Sequence, residues 1–388
     1  MLTNQAEKAL FALVRNSLLN APLPDDFSVS AGEWAEIFQL ASDHDITQLL
    51  FDAVSRNHLL AESSVGYQKG KEQYKLAMMR IIKIEEMQAR IMRVLEEGGI
   101  DFVLLKGSVL RPLYPQAWMR TSCDIDLLVH AADMKSAGEL MADKLAFTHS
   151  ETVTMHDVSF YEDGGVHLEL HYQLEHSDQQ QDAILSSVWK HVQRLPDLKH
   201  GYRLAPEFFA YYHLAHMKKH LIRNGGCGIR TFLDWWIIEH RLSYDRAQLA
   251  QWLSQGGMAR FVEAVSHLSR YWLEGGTIST LEEELSQYVL RGGCYGTKES
   301  QSVIQFARAD SKAALIFQRI FLPYRYLCLL YPWLSGRKWL YPVATIRRWL
   351  GIFDPRKRKS LSTEIKAGIQ SAGGEQERVN TLMKKLDL

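Results

Sequence analysis

Two aspartates separated by one isoleucine open an apolar run at Asp124-Ile-Asp126-Leu-Leu-Val129. The run reads as a strand, and side chains two apart on a strand share a face. Asp124 and Asp126 therefore project together, while Ile125 and Leu127 turn toward the core. Adjacent carboxylates repel each other, and the pairing is costly unless a cation or a proton lies between them. Two environments satisfy that condition. One is an exposed strand end where water solvates both acids. The other is a cleft holding a hard divalent cation, and Mg²⁺ is the usual occupant of oxygen-ligand sites beside phosphate groups.

The surroundings favour the cleft. Phe102-Val-Leu-Leu105 suits a short buried strand, and Lys106-Gly107-Ser108 follows it directly. A Gly-Ser turn that opens a helix presents free backbone N–H groups to an anion. Ser108 adds a hydroxyl donor, and Lys106 or Arg111 can add positive charge. Arg120, four residues before Asp124, can pair with phosphate or neutralise the acidic pair. In Val166-His-Leu-Glu-Leu-His171 the alternation puts His167, Glu169 and His171 on one face and Val166, Leu168 and Leu170 on the other. An acid on a strand suited to burial needs a partner, and a metal shared with the aspartates would supply one. His171 is a candidate substrate contact or a structural neighbour.

The flanking sequence is helical. Ser30-x-x-Glu33 has the pattern of a capping box ahead of Trp34, Ile37, Phe38 and Ala41 on one helix face. A longer stripe, Ile81, Ile84, Met87, Ile91, Val94 and Leu95, runs up to Gly98-Gly99. Helical periodicity returns from Ala131 to Leu145. Met155–Tyr161 and Val166–His171 read as an antiparallel pair turned by Glu162-Asp-Gly-Gly165. This gives an organisation of 1–98 as an N-terminal helical region, 99–195 as an α/β core, 196–300 as a helical domain, 301–360 as an aromatic-basic segment and 361–388 as a polar tail. No Gly/Ser-rich linker separates the α/β core from the following helices, so direct packing is expected.

Composition removes several alternatives. Lys+Arg and Asp+Glu both number 45, so the formal net charge is zero and no global field attracts a polyanion. Cys123, Cys227, Cys294 and Cys328 form no C-x-x-C pair, which argues against a zinc site built from them and for reduced thiols in a cytoplasmic protein. The N-terminus lacks the charged-then-apolar order of a signal peptide. No apolar stretch reaches the ~20 residues of a membrane span.

Three further features are open to two or more readings. His216 and His220 share a helix face with His213 nearby, and suit a metal, a substrate or phosphate contact, or packing. Arg230 and Asp234, four apart, suit an intrahelical pair, and Gly225-Gly226-Cys227-Gly228 before them suits a mobile loop or a connector. From Phe317 to Phe353, tyrosines and tryptophans alternate with Arg325, Arg337, Lys338, Arg347 and Arg348. Such a mixture suits an anionic membrane surface, giving a peripheral station on its inner face, or a polyanionic acceptor. It equally suits packing on the preceding helices.

The strings Leu105-Lys-Gly-Ser108, Arg120-Thr-Ser-Cys-Asp-Ile-Asp-Leu-Leu-Val129 and Glu169-Leu-His171 resemble the signature of the uncharacterised nucleotidyltransferase family, within the polymerase-β superfamily. His213-Leu-Ala-His216-Met-Lys-Lys-His220 and Arg230-Thr-Phe-Leu-Asp234 are similar to the family's helical segment, and the resemblance runs from about residue 30 to about residue 350. It implies an α/β (α+β) fold, with a mixed sheet between N-terminal helices and a C-terminal helical domain. It implies Asp124, Asp126 and Glu169 as Mg²⁺ ligands and catalytic acids. It further implies a nucleoside triphosphate, ATP first among candidates, held by Lys106, Gly107 and Ser108, with Arg120, His171, His216, His220 and Arg230 as further contacts. The Gly-Ser to Asp spacing is longer than the superfamily pattern. The implied reaction is in-line attack of an acceptor hydroxyl on the α-phosphate, with Glu169 also available as general base. The acceptor is not written in the sequence. A non-catalytic nucleotide-binding protein of the same fold and a γ-phosphate phosphotransferase use the same residues.

Overall fold

The computed structural model describes residues 4–153, 156–174, 179–223, 225–294, 296, 321, 324, 327–328, 331–334, 336–350 and 373–388. Four helices lead: α1 (Asn4–Leu19), α2 (Ala31–Asp43), α3 (Thr47–Arg56) and α4 (Val65–Glu97). The expected capping box starts α2. Ser30 Oγ accepts from the Glu33 N–H at 3.3 Å, and Glu33 Oε2 accepts from the Ser30 N–H at 2.8 Å. The long stripe becomes α4, which ends at Gly98-Gly99 as its sequence predicts.

The chain then builds β1 (Phe102–Leu104), the short α5 (Lys106–Leu110), β2 (Asp124–Val129), α6 (Met134–Leu145), β3 (Thr148–Val153), β4 (Asp157–Tyr161) and β5 (His167–His171). After α7 (Gln179–Leu185), β6 (Val192–Arg194) and β7 (Gly201–Leu204) complete a seven-stranded mixed sheet in the order β3-β4-β5-β2-β1-β7-β6. β4 and β5 pair antiparallel around the expected turn. The sheet reaches residue 204, beyond the 195 at which the sequence suggested the α/β core would end.

One face of the sheet is dry. Phe102, Leu104, Ile125, Leu127, Val129, Leu168 and Leu170 pack there on Ile84, Met87, Ile91 and Leu95 of α4 and on Ala137, Met141 and Leu145 of α6. The alternating residues Val103, Leu105 and Leu128 point the other way and join the larger core. That core also takes Leu10, Leu13 and Val14 of α1 and Leu49 and Leu50 of α3. It also takes residues of α2, of the start of α4 and of α7, and of α8 (Pro206–Arg223), α9 (Ile229–Arg241), α10 (Arg246–Gln255), α11 (Ala259–Glu274) and α12 (Thr280–Gly292). The N-terminal and C-terminal helices therefore share one apolar interior beneath the sheet, and the direct packing expected of the helical region is realised.

Two more helices are α13 (Tyr341–Leu350) and α14 (Gly373–Lys385). Much of the aromatic-basic stretch, including Arg325 and residues 317–320 and 351–353, lies outside the described residues. The part that is described makes a small cluster of Leu327, Leu334 and Ala344, rimmed by Tyr324, Tyr331, Trp333 and Tyr341.

Candidate metal and nucleotide site

β2 and β5 are parallel neighbours, and their register sets Asp126 beside Glu169 and Asp124 beside His167. Ile125, Leu127, Leu168 and Leu170 claim the dry face, so the period of two turns both aspartates and Glu169 to the opposite face. Asp126 is only 2 % exposed. A carboxylate so buried needs charge and hydrogen bonds around it, and two groups supply them. Lys106 Nζ lies 2.7 Å from Asp126 Oδ1 and 3.5 Å from Glu169 Oε2. His171, with no exposed surface, sets Nε2 3.0 Å from Asp126 Oδ1 and 3.5 Å from Glu169 Oε2.

These contacts govern the titration of the cluster. Burial alone would push His171 down, but the hydrogen bonds to Asp126 and Glu169 prevail and raise it to about 9. Burial alone would push Glu169 up. The hydrogen bond from His171 and the charge of Lys106 outweigh it and hold the carboxyl well below the usual range. An imidazolium and an ammonium thus provide the positive charge that the acids demand.

The donor set suits divalent cations. One ligand atom from each of Asp124, His167 and Glu169 lies within 4.8 Å of the other two, and the same holds for Asp126, Glu169 and His171. Glu169 belongs to both groups. His167 Nε2 is buried with no hydrogen-bond partner among the described residues, as a ligand nitrogen awaiting an ion would be. Lys106 Nζ marks a spot between the carboxylates that already accommodates a cation.

The Lys-Gly-Ser turn opens α5 at the end of β1, next to β2. Ser108 Oγ is buried and has no hydrogen-bond partner among the described residues, so it is an uncommitted donor. A Cβ at Gly107 would stand 2.9 Å from Arg111 Nη1 and 3.2 Å from Ser122 Oγ, and a side chain there would collide with the buried arginine. Arg111 donates to Ser122 Oγ and Gln88 Oε1, each at 2.8 Å. Burial and the neighbouring Arg120 lower it to about 10.

The other candidate residues lie elsewhere. Arg120 neither neutralises Asp124 and Asp126 nor stands free for phosphate. Its Nε donates to both oxygens of buried Asp234, at 2.8 and 3.0 Å, and Tyr114 OH donates to the same carboxylate at 2.7 Å. The expected Arg230–Asp234 pairing gives way to this arrangement, because the chain before β2 brings a guanidinium against α9. Arg230 instead meets Asp45 and donates to the Thr121 carbonyl at 3.2 Å. His216 and His220 face each other on α8 with ring centroids 4.4 Å apart. Among the described residues, neither belongs to a metal-capable group. His213 is buried, sets Nε2 3.2 Å from the Thr231 carbonyl, and is lowered to about 4 by burial. Gly225-Gly226-Cys227-Gly228 is buried throughout, and a Cβ at Gly228 would approach Cys294 Cα to 2.8 Å. It is a packed connector, not an open loop.

Some contributors escaped the sequence reading. His167 was assigned to the correct face but not to the metal set. Asp45, which meets Arg230, and Tyr114, which donates to Asp234, gave no signal because those partners are more than 100 positions away.

The sequence profile of an uncharacterised nucleotidyltransferase family matches residues 30–274, from the cap of α2 to the last residue of α11. The match includes every strand and every residue of the carboxylate cluster. It stops short of the aromatic-basic stretch, to which the motif resemblance had extended. No curated protein and no solved structure matches the chain. With more than half of its 388 residues matched, this chain belongs to the uncharacterised nucleotidyltransferase family.

Proposed function

We propose that the protein is a Mg²⁺-dependent nucleotidyltransferase that moves the nucleoside monophosphate of an NTP, ATP first among candidates, to an acceptor hydroxyl. The reading is carried by one observation. Parallel pairing of β2 and β5 sets Asp126 and Glu169 around the Lys106 ammonium, and Asp124 with His167 and Asp126 with His171 form two metal-capable groups that share Glu169. Bound divalent ions supply charge neutralisation at the phosphates and make the attacking hydroxyl more acidic. Asp124, Asp126 and Glu169 are the residues that would hold them. The depressed basicity of Glu169 suits a ligand better than a general base, which works best with a pKa near the operating pH.

The remaining steps belong to the protein's own donors. Ser108 Oγ, buried and unpartnered, is available to a phosphate oxygen. Lys106 Nζ, now against Asp126 and Glu169, would be within reach of the negative charge of a triphosphate if those acids held a divalent ion. The acceptor oxygen bonds to the α-phosphorus as the bond to the bridging oxygen breaks, pyrophosphate carries away the electron pair, and the hydroxyl proton leaves to solvent. Positioning and charge supply most of the acceleration in such chemistry.

The test is label transfer. The protein is incubated with Mg²⁺, cell extract and ATP labelled at the α- or γ-phosphate, beside an Asp126→Asn variant. Transfer of the α-label, reduced on the order of 10²–10³-fold in the variant, supports the reading. Transfer of the γ-label alone replaces it with a phosphotransferase. Absence of Asp126-dependent transfer leaves a nucleotide-binding protein.

A second reading concerns α13. Trp339 is 77 % exposed, and Val343 and Ile346 are more than half exposed one and two turns further on, beside Arg337, Lys338 and Arg347. No helix among the described residues is long and apolar enough to cross a membrane. An exposed tryptophan in the turn that leads into an amphipathic basic helix fits contact with an anionic lipid surface.

A further inference from the structure

A second set of ligating side chains lies behind the carboxylate cluster, on the far side of His171. The antiparallel register of β4 and β5 sets Asp157 directly opposite His171. His156 immediately precedes β4. One ligand atom from each of His156, Asp157 and His171 lies within 4.8 Å of the other two. His156 Nε2 is 3.1 Å from Asp157 Oδ1, and the His156 and His171 rings lie nearly parallel with centroids 5.9 Å apart.

The two nitrogens of His171 have different fates. Nε2 is 3.0 Å from Asp126 Oδ1. Nδ1 is buried, on a side chain with no exposed surface, and has no hydrogen-bond partner among the described residues. A buried polar atom without a partner is costly to the fold. A histidine that donates one ring N–H to a carboxylate and leaves its other nitrogen uncommitted is arranged as metal-ligating histidines are, with the carboxylate fixing the tautomer.

We propose that His156, Asp157 and His171 form a binding site for a Zn²⁺-class transition-metal ion, separate from the ions held by Asp124, Asp126 and Glu169. Two imidazoles and one carboxylate suit Zn²⁺, whereas Mg²⁺ prefers oxygen donors throughout. Ligand atoms around a tetrahedral zinc stand about 3.4 Å apart. The His156–Asp157 pair, at 3.1 Å, is close to that separation, and a ligand atom of His171 lies within 4.8 Å of both. Binding displaces the proton from His171 Nδ1 to solvent and keeps the Nε2–H directed at Asp126. The ion would fix the orientation of a side chain that holds two of the three acids. His156 is partly exposed, which leaves an approach for the ion and a position for water.

The site stands independently of nucleotidyl transfer, because occupancy is read directly. The full chain is stripped with a chelator and titrated with Zn²⁺ by calorimetry, and with Co²⁺ by visible absorption. Wild type is compared with Asp124→Asn, His156→Ala and Asp157→Asn, each checked for folding by circular dichroism. The proposal expects one equivalent of Zn²⁺ and the intense bands of four-coordinate Co²⁺ in wild type and in Asp124→Asn. It expects affinity weakened about 100-fold or more in His156→Ala and Asp157→Asn, at least matching losses seen when outer partners of a metal site are removed. It is overturned by absence of binding, by binding indifferent to both His156→Ala and Asp157→Asn, or by binding that Asp124→Asn abolishes and His156→Ala spares.

Discussion

Lys106 is the residue on which the state of the carboxylate cluster turns. Its backbone adopts φ +39°, a left-handed conformation that costs a non-glycine residue roughly 1–2 kcal/mol. Its ammonium nevertheless reaches both Asp126 and Glu169. Strain held at such a point belongs with function. Lys106→Met leaves a buried carboxylate short of a partner and should destabilise the protein by about 3 kcal/mol in urea denaturation. Added Mg²⁺ should restore much of that loss if the carboxylates hold the ion, whereas a loss that Mg²⁺ leaves unchanged argues against a cation site. Arg120 belongs to structure. Arg120→Ala strands Asp234 in the interior and should cost about 3–5 kcal/mol, measured the same way. Tyr114→Phe removes one hydrogen bond and should cost about 1–2 kcal/mol.

Two buried histidines set an acid limit. His44 accepts from the Ile229 N–H at 3.1 Å on Nδ1 and sets Nε2 3.2 Å from the Leu290 carbonyl. Burial lowers it to about 4, as it does His213. Above pH 6.5 both are neutral in the folded and unfolded chain, and stability is undiminished. Between pH 6.5 and 4 the unfolded chain takes up protons that the folded one refuses, so stability falls as pH falls. The slope approaches about 1.4 kcal/mol per pH unit for each histidine. His44→Gln should flatten the denaturation midpoint against pH over that window. An unchanged slope contradicts the assignment.

At the scale of elements, the β4–β5 hairpin does more than extend the sheet. It carries Glu169 and His171 on one strand and Asp157 on the other, so its register couples the carboxylate cluster to His156 and Asp157. The residues of β2 and β5 were legible because β5 alternates ionisable and apolar side chains with a period of two and β2 opens with the same alternation over Asp124-Ile125-Asp126. β6 and β7 escaped notice. They are three and four residues long, and no alternation can establish itself over that length. For the glycine-rich segment before α9 the sequence left two readings open, a mobile loop and a connector, and the packing favours the connector. Its composition suggests mobility, yet its glycines serve close packing against the chain near Cys294. Replacing Gly228 with alanine should therefore destabilise the fold instead of altering substrate entry. For the turn before α13, vesicle flotation should find the protein on phosphatidylserine-containing vesicles and lose it with Trp339→Ala. Equal recovery of both proteins rules against the lipid contact.

At the scale of the whole molecule, the helices before and after the sheet share one core. Sequence periodicity located these helices but not their mutual packing, because the apolar stripe of α1 carries no mark of the partner helix two hundred residues later. The shared core brings Arg120 to Asp234 and Arg230 to Asp45, which removes two arginines from the nucleotide contacts that the motif resemblance implied. It leaves the strand-borne acids, Lys106 and Ser108 as the chemistry-bearing face. The most direct test of that face is Mn²⁺ binding, counted by electron paramagnetic resonance with a non-hydrolysable ATP analogue present. The account predicts that Mn²⁺ binds with the nucleotide in wild type and that Glu169→Gln, which removes the carboxylate common to both metal-capable groups, abolishes the nucleotide-dependent binding. Nucleotide-dependent binding of Mn²⁺ that is equal in wild type and Glu169→Gln would contradict it.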